Sequence, residues 1–118
     1  MTDSAGPTRS SRTSTSASAE RPDLLGIVVV SFGSADLLRR TLAPAGLSGP
    51  DVRIVVVDNF STTANRRAVE ALGAAQGWHV VGMPDNRGFG AACNAGIVAA
   101  RSLGCRTFLF LNPDAVIS

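Results

Sequence analysis

Four apolar runs in this chain end abruptly in polar residues, and those ends are where its chemistry can lie. Ser31 and Phe32 close the run Gly26-Ile27-Val28-Val29-Val30, and Asp58 and Asn59 close Ile54-Val55-Val56-Val57. Pro84-Asp85-Asn86-Arg87-Gly88 follows Trp78–Met83, and Asn112-Pro113-Asp114 follows Thr107–Leu111. A carboxylate beside a buried strand end must be solvated, paired or used. Asp58 can accept the imide N–H of a bound base such as uracil or thymine; its bland alternative is to cap the following turn, where Asp and Asn are common. Asp114 suits a Mg2+ or Mn2+ ion, which takes one or two carboxylates, waters and substrate phosphates rather than a full protein cage. Asn-Pro-Asp is equally good turn chemistry. Gly88-Phe89-Gly90 opens a predicted helix, so backbone there can approach a diphosphate whose charge the helix N-terminus favours. Arg87 can pair with phosphate, although an exposed loop arginine is the commoner case. Asn94 lies inside the same helix, where asparagine is a poor helix former, so something other than propensity keeps it there.

Other chemistries find less support. The glycines do not make a dinucleotide fingerprint, because Cys93 stands where the third glycine belongs and the motif follows the third strand, not the first. An acidic residue in the usual relation to such a fingerprint is missing too, which weighs against an NAD-type oxidoreductase domain. His79 is the single histidine and has no Ser/His/Asp or Cys/His set around it. Trp78 beside it reads as core or sheet-edge packing. Cys93 and Cys105 have no metal-type spacing and are expected to be buried, reduced thiols of a cytosolic protein. A net charge of +2 does not call for a nucleic-acid partner. All eleven basic residues are arginine, which fits the coding bias of a GC-rich genome. No run approaches the ~20 apolar residues of a membrane span.

The elements that must position these residues follow from the hydrophobic pattern. Residues 1–22 are rich in Ser and Thr and lack Leu, Ile, Val and Phe, so they cannot offset their ordering entropy and are expected to be disordered. They have no apolar signal-peptide core. Roughly 95 residues remain, enough for one modest core. Leu24–Ser31 is a strand buried on both faces. A helix follows, capped by Ser34, with Asp36 in its first turn, Leu37, Leu38 and Leu42 as its buried stripe, and Pro44 and Gly46 at its end. Arg53–Asp58 is the second strand. Ser61 or Thr62 caps the second helix, in which Ala64, Ala68, Leu72 and Ala75 fall on one face, with Gly77 closing it. Trp78–Met83 is the third strand, and Phe89–Leu103 is a helix apolar almost all round, expected to be well covered. Thr107–Leu111 is the fourth strand. This alternation predicts an α/β fold, a parallel βαβαβαβ sheet with right-handed crossovers. In such sheets ligands bind outside the carboxyl ends of the strands, where the polar residues fall.

Together Val28-Val29-Val30-Ser31-Phe32, Ile54–Ser61, Asn86-Arg87-Gly88-Phe89-Gly90 continuing to Asn94-Ala95-Gly96, and Leu111-Asn112-Pro113-Asp114 resemble family 2 glycosyltransferases, especially rhamnosyltransferase-like members. The resemblance runs from about Ile27 to the last residue. It implies the nucleotide-binding half of a GT-A (Rossmann-like) fold over residues 23–118. It also implies inverting transfer of a sugar, rhamnose among the candidates, from a dTDP- or UDP-linked donor to a glycan or lipid-linked acceptor of the cell envelope. By position, Ser31, Phe32, Asp58, Asn59, Arg87, Gly88 and Asn94 would bind the donor nucleotide, and Asp114 a Mg2+ or Mn2+ ion bridging the diphosphate. Gly33, Phe60 and Asn112 depart from the family pattern, which commonly has Asn, a small residue and an acid at those places. The resemblance implies a cytoplasmic enzyme, peripheral to the inner face of the membrane at most. The family's acceptor site and catalytic base fall beyond Asp114, so the 118-residue chain by itself is expected to be inactive, with an apolar fourth-strand edge prone to association. The alternative is a nucleotide-binding module without catalysis.

Overall fold

In the computed structural model of the chain, residues 23–113 are described; the tail at 1–22 and the candidate metal ligand Asp114 lie outside them. The described chain runs β1 (Leu24–Ser31), α1 (Ala35–Arg40), β2 (Val52–Asp58), α2 (Thr63–Gln76), β3 (His79–Gly82), α3 (Phe89–Ser102) and β4 (Cys105–Leu111). The strands form one parallel sheet in the order β3-β2-β1-β4. The β-branched runs in β1 and β2 occupy its two central places, where both faces are covered and continuous apolar sequence is required. The expected α/β alternation is therefore the architecture of the molecule.

Side chains alternate across the sheet, and each face has its own core. Ile27, Val29, Ile54 and Val56 meet Leu38, Leu42, Val69 and Trp78 on the α1/α2 face. Val28, Val55 and Val57 meet Met83, Ala92, Ala100 and Cys105 on the α3 face. Trp78 is thus a core residue, as expected of it.

Several boundaries and faces differ from the sequence reading. The α-helical part of α1 stops at Arg40, and a 3-10 turn at Ala43–Ala45 carries Pro44 before Gly46 adopts φ 69°. Strand β4 starts at Cys105, two residues early, where its register against β1 shifts between Leu24 and Leu25. In α2 the face shared by Ala64, Ala68, Leu72 and Ala75 is not the buried one: the three alanines are exposed and Leu72 is half-buried, while Val69 and Gly73 are buried. Counting apolar residues favoured the alanines, but the sheet selects the face that offers bulk at Val69 and room at Gly73. A Cβ at Gly73 would collide with Val80 Cγ2. Helix α3 is covered on one side only. Ala92, Gly96 and Ala100, four residues apart, are buried, whereas Phe89 and Val98 face outward.

Candidate functional site

The parallel register sets Ser31 beside Asp58, and Asp58 beside Gly82, so three strand ends line up in one row. Backbone bonds carry the row past the strands: Asn59 N–H donates to the Ser31 carbonyl at 2.8 Å and Met83 N–H to that of Asp58 at 3.0 Å. Alternation places Ser31, Asp58 and Gly82 on the α1/α2 face, above Val29, Val56 and Val80.

Asp58 is fully buried, and a buried carboxylate needs a partner. Arg66, in the first turns of α2, supplies it. Its Nε donates to Asp58 Oδ2 and its Nη2 to the Met83 carbonyl, while the guanidinium lies 5.3 Å from the centre of the Phe60 ring. Gly82 makes this possible, since a Cβ there would stand 2.7 Å from Arg66 Nη1 and 2.9 Å from Cζ. Only one carboxylate oxygen is satisfied. Asp58 Oδ1 is buried without a hydrogen-bond partner, and so are Ser31 Oγ, Ser61 Oγ and Asn65 Nδ2. Unpartnered buried polar atoms are uncommon, and four near the same strand ends ask for a function.

The surrounding turns are tied to this row. Asn59 is buried and its Oδ1 accepts Arg87 N–H at 3.3 Å, anchoring the loop between β3 and α3 to the end of β2. Asn86 Oδ1 accepts Gly88 N–H at 2.9 Å, and Gly88 has φ 92°, a conformation that favours glycine. The Arg87 side chain is exposed and pairs with Asp85 at 2.7 Å. Phe32 presents its ring to solvent with 57% of its surface exposed, next to buried Ser31. Ser34 does not cap α1 with its side chain as expected; its Oγ donates to the Phe32 carbonyl at 3.0 Å. The first turn of α1 is served from α2 instead, where Asn65 Oδ1 accepts Ala35 N–H at 3.1 Å. Thr62 does cap α2, accepting Asn65 N–H at 3.0 Å.

The fold therefore gathers Ser31, Phe32, Asp58, Asn59, Arg87 and Gly88 around the carboxyl ends of β1 to β3. Asn94 is exposed on α3, and no side-chain hydrogen bond joins it to the others among the described residues. The sequence reading missed Arg66 and Asn65. One signal was available: a cation in the opening turns of a helix opposes the helix dipole, so Arg66 required a local anionic partner, and Asp58 lies eight residues before it.

Among the described residues no group of three or more His, Cys, Asp or Glu is placed to hold a metal ion, and Asp58 is already engaged by Arg66. Both cysteines are free thiols, Cys105 buried and Cys93 only half-buried, which corrects the expectation for the latter. Burial pushes both thiols above their ordinary pKa, with Arg53 partly offsetting this at Cys105. No helix among the described residues is long and apolar enough to cross a membrane.

The sequence pattern of Glycosyl transferase family 2 matches residues 26–118. The chain belongs to this family. Comparison with curated proteins found no match. Among solved structures, a mannosyltransferase from Pyrobaculum calidifontis in complex with GDP-Man and Mn2+ has 21% identity and a TM-score of 0.60, over 80% of this chain and 30% of that protein. S. aureus TarS has 21% identity and a TM-score of 0.57, over 77% of this chain and 16% of its own. A second TarS structure, covering its residues 1–349, has 22% identity and a TM-score of 0.58, over 77% and 27%. At these identities the likeness establishes the GT-A type α/β fold. The chain spans no more than 30% of the length of these proteins.

Proposed function

We propose that the carboxyl ends of β1, β2 and β3 form the nucleotide subsite of a sugar transferase that uses a nucleotide-diphosphate sugar, a uridine or thymidine donor in the first instance. The observation that carries this reading is Asp58 Oδ1, a carboxylate oxygen buried without a partner beside the equally unpartnered Ser31 Oγ, with the exposed Phe32 ring adjacent. A base that stacks on Phe32 and donates its imide N–H to Asp58 would satisfy one orphan and cover apolar surface. Both orphan atoms are sealed from solvent, so a covering group must shift to admit the base.

The backbone at Gly88 and the start of α3 then faces the diphosphate, where unpaired helix N–H groups and the dipole favour negative charge. Arg87 sits in the same loop and can exchange Asp85 for a phosphate. Asn94 is included in the donor site on the resemblance of Asn94-Ala95-Gly96 to the family's motif alone. The motif resemblance of Leu111-Asn112-Pro113-Asp114 assigns a divalent ion to Asp114; when bound, such an ion would neutralise charge on the departing diphosphate. The known structure with GDP-Man and Mn2+ supports a nucleotide-diphosphate sugar and a divalent ion, and its base is guanine rather than a pyrimidine. The acceptor hydroxyl oxygen would bond to the anomeric carbon as the bond to the diphosphate oxygen breaks, its proton passing to a base outside the described residues. An inverting outcome, a rhamnosyl donor, a glycan or lipid-linked acceptor and work at the inner face of a membrane belong to the same proposal.

Titration calorimetry of the chain with UDP, dTDP, GDP and NAD, with and without Mn2+, tests it. A diphosphate is expected to bind, more tightly with Mn2+ and at least about tenfold more weakly in an Asp58→Ala variant. Preferential binding of NAD would overturn the reading.

A further inference from the structure

Arg66 stands outside the motifs that the sequence reading singled out, and its geometry constrains the ligand. An ionised carboxylate can accept through two oxygens. Here Oδ2 is occupied by Arg66 Nε, and only Oδ1 is left unpartnered. The edge that Asp58 offers is therefore one acceptor flanked by a guanidinium, not two acceptors side by side. Arg66 is held in that place by the Met83 carbonyl and the Phe60 ring, in space that Gly82 leaves open.

Nucleobases differ in what they present to such an edge. Uracil and thymine carry a single imide N–H between two carbonyls, so one donor meets Oδ1 and a carbonyl oxygen can face the cation. Guanine carries two adjacent donors, N1–H and the exocyclic amine, which match both oxygens of an open carboxylate. With Oδ2 covered, guanine cannot place both donors on the carboxylate: whichever way round it docks, its amine is left without the acceptor that Oδ2 would offer, a cost that sites built on hydrogen bonding turn into strong discrimination.

Resting on the donor-site reading above, we infer that Arg66 is a specificity-determining positioning residue: by masking Asp58 Oδ2 it restricts the nucleotide subsite to imide bases, uracil and thymine, and rejects guanine. Arg66 acts through Asp58.

Gly82 offers a way to test this while leaving Arg66 and Asp58 in the sequence. It is exposed and its backbone is in the ordinary strand region, so Gly82→Ala is tolerated by the chain but crowds the guanidinium and displaces it from Asp58. Affinities for UDP, dTDP and GDP are measured by calorimetry on the full chain, on Gly82→Ala and on Arg66→Met, with thermal unfolding of each protein as the control for folding. The unaltered chain is expected to favour UDP or dTDP over GDP by at least about tenfold, and both variants to shrink that ratio to about threefold or less. General weakening of the site would lower all three affinities together and leave the ratio where it was. An unchanged ratio in a folded Gly82→Ala protein overturns the role of Arg66 and leaves the donor site standing. A preference of the unaltered chain for GDP also overturns it, again without touching the diphosphate-donor reading. Absence of binding by any of the three to the folded chain overturns that reading, and the inference with it.

Discussion

On the α1/α2 face of the sheet the covering layer contributes bulk: Leu38 and Val69 from the helices, and Leu42 and Trp78 from the segments that follow them, fill the space over Ile27, Val29, Ile54 and Val56. On the α3 face the helix contributes almost none, bringing Ala92, Gly96 and Ala100 against Val28, Val55 and Val57. The first face is built by filling and the second by approach. A Cβ on Gly96 would collide with Val28 Cγ1 and stand 3.1 Å from Val57 Cγ2; one on Gly26 would stand 3.0 Å from Ala100 Cβ. Closeness gives α3 dispersion contacts with the sheet backbone that large side chains would prevent. It also fixes where the N-terminus of α3, and the Gly88 loop before it, stand relative to β1 and β2. The face that fills hosts the polar cluster around Asp58, where side chains can be exchanged for polar ones. The face that approaches carries the Gly88 loop, where backbone position matters most.

The largest effect that would sharpen this comparison is expected on the filled face. Leu38→Ala removes a completely buried side chain and should cost about 3 kcal/mol in chemical unfolding, with the midpoint shifted and the slope unchanged. On the approached face the opposite change should hurt: Gly96→Ala adds one carbon and should cost about 1–3 kcal/mol despite the better helix propensity of alanine. A stabilised Gly96→Ala protein would break the comparison, because α3 would then have slack to move. The smallest effect concerns the thiols of the α3 side. Their raised pKa values mean that alkylation by iodoacetamide should accelerate only above the ordinary thiol range of about 8.5, and more slowly at buried Cys105 than at Cys93. Linkage gives the sign for stability. A folded pKa raised above the unfolded one contributes stability below the unfolded value, and that contribution is lost as pH rises through the folded value. Unfolding measured across the alkaline range should show this loss.

What could be read from sequence, and what could not, follows the same division. The strands declared themselves because continuous β-branched runs such as Ile54–Val57 have few other uses, and the site row followed because Ser31, Asp58 and Asn59 interrupt those runs at their ends. The facing of α2 and α3 was misread because a stripe of alanines and glycines carries little amphipathic signal, and the choice between Ala68 and Gly73 is made by the shape of the sheet beneath, at Val80. Arg66 escaped because its partner is set by tertiary contact across the β2–α2 connection. Ser34 shows the same limit in miniature: its type suits a cap, yet the α1 amide is taken by Asn65 from another helix.

Asn65 also has a consequence for motion. Its backbone N–H is held by Thr62 and its side chain holds Ala35, so a single residue fastens the beginnings of two helices to each other. The turn bearing Phe32 precedes one of those beginnings, and Arg66 follows immediately in the other. Fraying of either helix would cut the same bond, so the two should open and close as one cooperative unit rather than as separate loops. On the proposed donor site, a ligand that lifts Phe32 would therefore pull on Arg66, the partner of Asp58, and access and recognition would become two readings of a single local equilibrium.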